Sequence, residues 1–300
     1  MSSEMKEKIV IIAAPVGPQA DPEIMPYLPI TQEEIAEESF KCYQSGASMV
    51  HVHARDVETR GVSFDISVLA EIIKRIRGKC NVLIQSTGAM GGGRDPKTGK
   101  WMRPTEEQRL PLLDLTPEPD AISTPMGTMD YVYPGGYATS FNRPDFLKKM
   151  IPGIIKKKWA WETEIWDVSF LHNTYRLAEE GVFDKNMPMW LHYCLGDNNG
   201  VQPSNPRHLL YLSEEGKRLF PHAIWQVTAR AKNYWQMLAT GIVLGCDIAR
   251  VGFEDHFRLP NGEIARNTVQ MVEAAVRIVR ALGKEVATVE EAKKILSIRK

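Results

Sequence analysis

Short apolar runs rich in β-branched residues alternate with longer amphipathic segments along the whole chain. Eight runs read as strands: Ile9–Pro15, Met49–Arg55, Asn81–Thr87, Asp120–Pro125, Trp161–Trp166, Met189–Leu195, Ala223–Thr228 and Ile248–Phe253. They are hydrophobic almost throughout, as suits parallel strands buried on both faces.

Helical periodicity fills the intervals. Thr31 to Glu34 reads as a capping box that opens a helix running to Ser45, with Gly46 at its end. Ile66, Leu69, Ile72, Ile73 and Ile76 mark one apolar face within Phe64–Arg77. Further helices are expected over Pro144–Trp159, Phe170–Glu180, Pro206–Phe220, Tyr234–Leu244 and Asn267–Leu282, and a second capping box, Thr288–Glu291, starts a last one. Strict β/α alternation favours a parallel sheet, and eight strands favour closure into a (β/α)8 TIM barrel. The 300 residues suit such a barrel, which needs about 250, and the expectation is a single domain over residues 1–300. No GxGxxG follows the first strand, which argues against an open dinucleotide-binding sheet. The conspicuous irregular stretch is Gly88–Pro104, rich in glycine and in basic residues (Arg94, Lys97, Lys100, Arg103). Loops that follow barrel strands build the active-site face.

Composition narrows the function classes. Lys+Arg and Asp+Glu both total 37, so nothing global draws the protein to nucleic acid or an anionic membrane. The charged N-terminus does not read as a secretion signal, and no apolar run approaches the roughly 20 residues of a membrane span. A cytoplasmic protein is expected. Cys42, Cys80, Cys194 and Cys246 are scattered without CxxC spacing and read as buried thiols.

Two motifs carry chemistry. His51-Val52-His53 closes the second strand. Side chains two apart on a strand share a face, so both imidazoles point one way, as core histidines or as a seat for zinc. Arg250-Val251-Gly252-Phe253-Glu254-Asp255 closes the eighth. In a closed barrel, strand eight neighbours strand one, and strand two lies just beyond, so Glu254 can reach His51 and His53. A His2Glu set leaves an open zinc position for substrate. Asp255 could serve as a general base and Arg250 could orient a carboxylate. Ser86, Thr87 and Gly88 at the end of strand three, and Ser123 on strand four, offer hydroxyl and backbone donors. Glu162 and Glu164 share a face of strand five, as inward carboxylates or a buried ion pair.

Taken together, these residues resemble the β-keto acid cleavage enzyme family. The likeness runs from Leu28-Pro29-Ile30-Thr31 through the HxH strand, Gln85-Ser86-Thr87-Gly88, Gly127-Thr128 and the RxGxED segment to Asn267, Gln270, Leu282-Gly283 and the closing Ala287–Ala292 segment. The resemblance implies a zinc enzyme that condenses a β-keto acid with acetyl-CoA to give acetoacetate and a new CoA thioester. By analogy His51, His53 and Glu254 hold Zn2+, Asp255 oriented by Arg250 removes a proton next to the ketone, and Ser86 and Ser123 hold substrate. The Gly88–Pro104 loop would receive CoA phosphates. The family usually forms homotetramers. Members that act on amino-substituted keto acids carry an acidic residue where this chain has Gln19. Pro125 replaces an asparagine of strand four, and only Arg230 remains of a Gly-Arg-His motif after strand seven. The competing reading is an amidohydrolase-like zinc hydrolase, with His192 and Asp255 in metal roles.

Overall fold

A computed structural model describes residues 7–95, 98–133, 136–196 and 202–298; Arg94, Tyr131, Tyr133 and Gly136 are described by backbone alone. Among the described residues eight strands form the closed barrel: β1 Lys8–Ala13, β2 Met49–Val52, β3 Leu83–Thr87, β4 Ala121–Pro125, β5 Ala160–Ile165, β6 Trp190–Gly196, β7 Ile224–Arg230 and β8 Ile248–Val251; a two-residue strand, Glu285–Val286, also pairs with β1. The eight pair in parallel in chain order, and β8 closes on β1 through Val10↔Ile248 to Ala13↔Val251. The expected TIM barrel is therefore the observed fold. The helices are α1 Gln32–Gln44, α2 Ile66–Lys79, α3 Glu106–Arg109, α4 Pro144–Lys157, α5 Val168–Glu179, α6 Pro206–Leu219, α7 Tyr234–Val243, α8 Thr268–Ala281 and α9 Val289–Ile295. Both expected capping boxes are present at Thr31 and Thr288. Pro152 lies inside α4 without ending it. Among the described residues, no helix is long and apolar enough to cross a membrane.

The side chains sort into two buried layers. Outward-facing strand residues such as Val50, Val52, Ile84 and Ile122 pack with the helices in the larger cluster. Inward-facing Val10, Ile12, Met49, Leu83, Trp190 and Ile248 pack with Ile295, Leu296 and Ile298, so α9 and the residues after it seal one end of the barrel with an apolar floor. Above this floor the interior turns polar: Gln85, Glu162, His192, Gln226 and Arg250 are all buried there. Buried polar groups need partners, so this layer demands a hydrogen-bond network.

The extra length after β3 and β4 builds two antiparallel hairpins, Gly93–Arg94 with Trp101–Met102 and Met129–Tyr133 with Gly136–Ser140. Arg109 pins them at the strands' C-terminal face. Its guanidinium donates to the Gly88 carbonyl at 2.9 Å and to Asn142 Oδ1 at 2.8 Å, and lies over the Phe146 ring. Of the basic loop residues singled out above, Lys97 lies outside the described residues.

Candidate active site

β2 ends at Val52, with His51 in the strand and His53 just beyond it. Both rings are buried and point to the barrel interior, where Glu254 meets them. His51 Nε2 lies 3.3 Å from Glu254 Oε2, and His53 Nε2 lies 3.3 Å from Glu254 Oε1. Here the local structure differs from the expected strand Ile248–Phe253. β8 stops at Val251, and Gly252, at φ 148°, turns the chain so that the Asp255 and His256 amides both donate to the Gly252 carbonyl. Successive residues of a strand would face opposite sides. The turn lets the neighbours Glu254 and Asp255 both face Arg250.

Arg250 Nε donates to Asp255 Oδ2 at 2.7 Å, and its Nη2 lies 2.8 Å from Glu254 Oε2. Arg230 Nη2 adds a more distant contact to each carboxylate, 3.4 Å to Asp255 and 3.5 Å to Glu254. Burial opposes ionisation of Glu254, but the Arg250 guanidinium beside it outweighs burial and holds the carboxyl well below its ordinary range. Burial pushes His51 down to about 4, which keeps the ring neutral and its lone pair available at neutral pH.

These three side chains fit a metal ion. Their ligand atoms all lie within 4.8 Å of one another. His51 Nδ1–H donates to Gln85 Oε1 at 2.7 Å, so Nε2 turns its lone pair toward the carboxylate. Two electron-rich atoms 3.3 Å apart are poorly placed for each other and well placed for a shared cation. Zinc–ligand bonds of about 2.0–2.1 Å set tetrahedral ligands roughly 3.3 Å apart.

The other sequence-predicted residues are placed unequally. Ser123 is buried, level in register with Thr87 on one side and Glu162 on the other, and its hydroxyl faces the Glu164 carboxyl. The Thr87 hydroxyl accepts from the Met90 amide at 3.0 Å and so shapes the start of the loop. Gly88 runs so close to β4 that a β-carbon there would lie 2.1 Å from the Ser123 carbonyl oxygen. Ser86 is in register with Val52 and Ile122, on the helix-facing side of β3, and its hydroxyl donates to the Thr87 carbonyl. Gln85, its neighbour, takes the interior position. Gln19 sits half-buried in the turn after β1, outside the pocket at the barrel mouth that is lined by Glu164, Trp166, His192, Thr228, Arg230, Arg250, Glu254 and Asp255. His192 is not a metal ligand: its Nδ1 bonds Glu162 and its Nε2 bonds Thr228, at 2.9 and 2.8 Å.

Sequence reasoning missed the working role of Gln85 and missed Gln226 altogether. Both donate to Glu162 Oε2 at 2.9 Å. The only signal was a glutamine two residues after an apolar inward residue, Leu83 on β3 and Ile224 on β7.

Comparison with known proteins agrees with this geometry. Residues 8–298 match the β-keto acid cleavage enzyme family. A 3-keto-5-aminohexanoate cleavage enzyme of Fusobacterium nucleatum is 32% identical over 298 residues, spanning 99% of this chain and 100% of the relative. A 3,5-dioxohexanoate:acetyl-CoA acetone transferase of Paraburkholderia graminis is 24% identical, over 98% of this chain and 97% of its own. Among solved structures, ObcA in ternary complex with a C4-CoA adduct and oxalate superposes with a TM-score of 0.75 at 18% identity, covering 91% of this chain and 68% of ObcA, and speaks for the fold alone. The full-length family match and the buried His-His-Glu cluster at the mouth of a closed barrel lead to one conclusion: the chain belongs to the β-keto acid cleavage enzyme family.

Proposed function

We propose that this protein is a zinc-dependent acyl-exchange enzyme that converts a β-keto acid and acetyl-CoA into acetoacetate and a new acyl-CoA. The observation that carries the reading is the convergence of His51, His53 and Glu254 beside an Asp255 carboxylate locked by Arg250. The β-keto acid and acetyl-CoA chemistry comes from the relatives' activities. His51, His53 and Glu254 would hold Zn2+, which supplies Lewis-acid stabilisation of developing negative charge.

The chain's own groups account for the proton and positioning steps. Asp255, fixed by Arg250, takes a proton from the carbon between the ketone and carboxylate of the keto acid. That carbon attacks the acetyl-CoA carbonyl, and the C–S bond breaks to release CoA thiolate. The thiolate attacks the ketone of the original acid. The bond between that ketone carbon and the central carbon breaks, and Asp255 returns its proton to the central carbon of acetoacetate. Arg230 at the rim and Ser123 in the wall would orient the substrate oxygens, and the Gly88–Pro104 loop, with Lys100 and Arg103, would meet the CoA phosphates.

The test is a panel of β-keto acids incubated with acetyl-CoA and zinc-loaded protein. Acetoacetate and the matching acyl-CoA should form in equal amounts, and His51→Ala and His53→Ala should lose both zinc and turnover. Consumption of substrate with water alone, without acetyl-CoA, would point to the hydrolase and sink the proposal.

A further inference from the structure

Beneath the His-His-Glu cluster lies a second group of buried polar residues that the reaction above does not use. Glu162 sits on β5 with no exposed surface. Three donors converge on it: His192 Nδ1 on Oε1, and the Gln85 and Gln226 side-chain amides together on Oε2, each at 2.9 Å. We propose that Glu162 is the positioning residue of the metal centre, acting through the Gln85 amide to hold His51 in the tautomer whose Nε2 can bind zinc. The inference rests on the metal-site reading above.

An ionised carboxylate only accepts hydrogen bonds. Burial would favour the neutral acid, but His192 and Arg250 outweigh it and keep Glu162 ionised. Gln85 must therefore turn its NH2 toward Glu162. Its carbonyl oxygen then faces the other way, 2.7 Å from His51 Nδ1. That nitrogen must carry the proton to make the bond, which leaves the lone pair on Nε2, the atom 3.3 Å from Glu254. Gln226 shows how strongly the carboxylate dictates amide orientation: it makes the same bond and leaves its own carbonyl oxygen buried without a partner. Glu162 fixes the His192 ring likewise, with Nδ1 on its Oε1 and Nε2 2.8 Å from the Thr228 hydroxyl. Partners behind a metal-binding histidine fix its ring and tautomer, and their loss typically costs about 10–100-fold in metal affinity.

The experiment compares wild type with Glu162→Gln, Gln85→Leu and Gln226→Leu. Two readouts are taken on each folded variant: zinc affinity by chelator competition, and the histidine tautomers of the zinc-free protein by long-range proton–nitrogen correlation spectra. Wild-type His51 should be protonated on Nδ1. Glu162→Gln and Gln85→Leu should disturb that state and weaken zinc binding by about 10–100-fold. Gln226→Leu, which touches Glu162 but not His51, should leave the tautomer in place. A His51 found protonated on Nε2 in wild type, or unchanged tautomer and affinity in the Glu162 and Gln85 variants, would overturn the inference. Should wild type bind no zinc, the metal reading fails, while the tautomer spectra still decide whether Glu162 governs His51. If Glu162→Gln does not fold, Gln85→Leu, which leaves the carboxylate in place, carries the test.

Discussion

Gly17 lies against Glu254 so closely that a β-carbon on residue 17 would sit 2.3 Å from Glu254 Cγ and 2.8 Å from its Cα. The turn after β1 thus forms a wall behind the carboxylate. The Gly17 carbonyl in turn accepts from Arg55 Nη1 at 2.7 Å, which ties that wall to the chain just past the HxH motif.

Gly17→Ala should therefore injure the metal site specifically. The contact reaches Glu254 backbone, so a side-chain swing cannot relieve it. The expected outcome is a stability loss of about 1–3 kcal/mol from overpacking and a larger proportional loss of zinc affinity. Urea unfolding and zinc titration check the two together. An alanine variant that binds zinc as wild type does would show that the turn yields freely.

Asp255→Asn separates base from ligand. Asp255 makes its close contact with Arg250 and is not part of the three-residue cluster. The variant should keep zinc while turnover falls by about 10²–10⁴-fold, the range for loss of a general base. Metal analysis and steady-state rates on the same preparation decide it; undiminished turnover would remove Asp255 from the mechanism.

Acid should loosen the barrel interior through Glu162. Its burial opposes ionisation, but His192, through charge and hydrogen bond, and Arg250 hold the carboxyl at about 2 against an ordinary 4.5. A folded-state value below the unfolded one means that the unfolded chain binds the extra proton first. The contribution is complete above about 4.5 and is lost as pH falls toward about 2. Unfolding free energies measured across that interval should fall with pH more steeply in wild type than in Glu162→Gln. Parallel curves would contradict the assignment.

Leu296→Ala tests the opposite end. Leu296 is buried in the apolar floor with Ile295, Val10 and Trp190, away from the mouth. The substitution should cost about 2–5 kcal/mol of stability while the folded enzyme keeps its kcat and zinc affinity. A lost kcat in fully folded protein would mean that the floor is coupled to the chemistry.

Much of this protein was legible in the chain itself. The eight apolar runs and the capping boxes specified a barrel because period and punctuation are local properties, readable within one segment. His51 and His53 were legible as a pair for the same reason, since two residues apart on a strand means one face. What the chain could not disclose was parity and register across segments. Whether Gln85 or Ser86 faces the interior depends on which face of β3 turns inward, and a shift of one residue exchanges them. The meeting of Gln85, Glu162 and Gln226 depends on closure of the whole barrel, because each comes from a different strand and none bonds the others until all eight are aligned. The same holds for Glu254 and Asp255. Strand alternation would have parted them, and only the glycine turn against β1, created by the β8–β1 seam, aims both at one arginine.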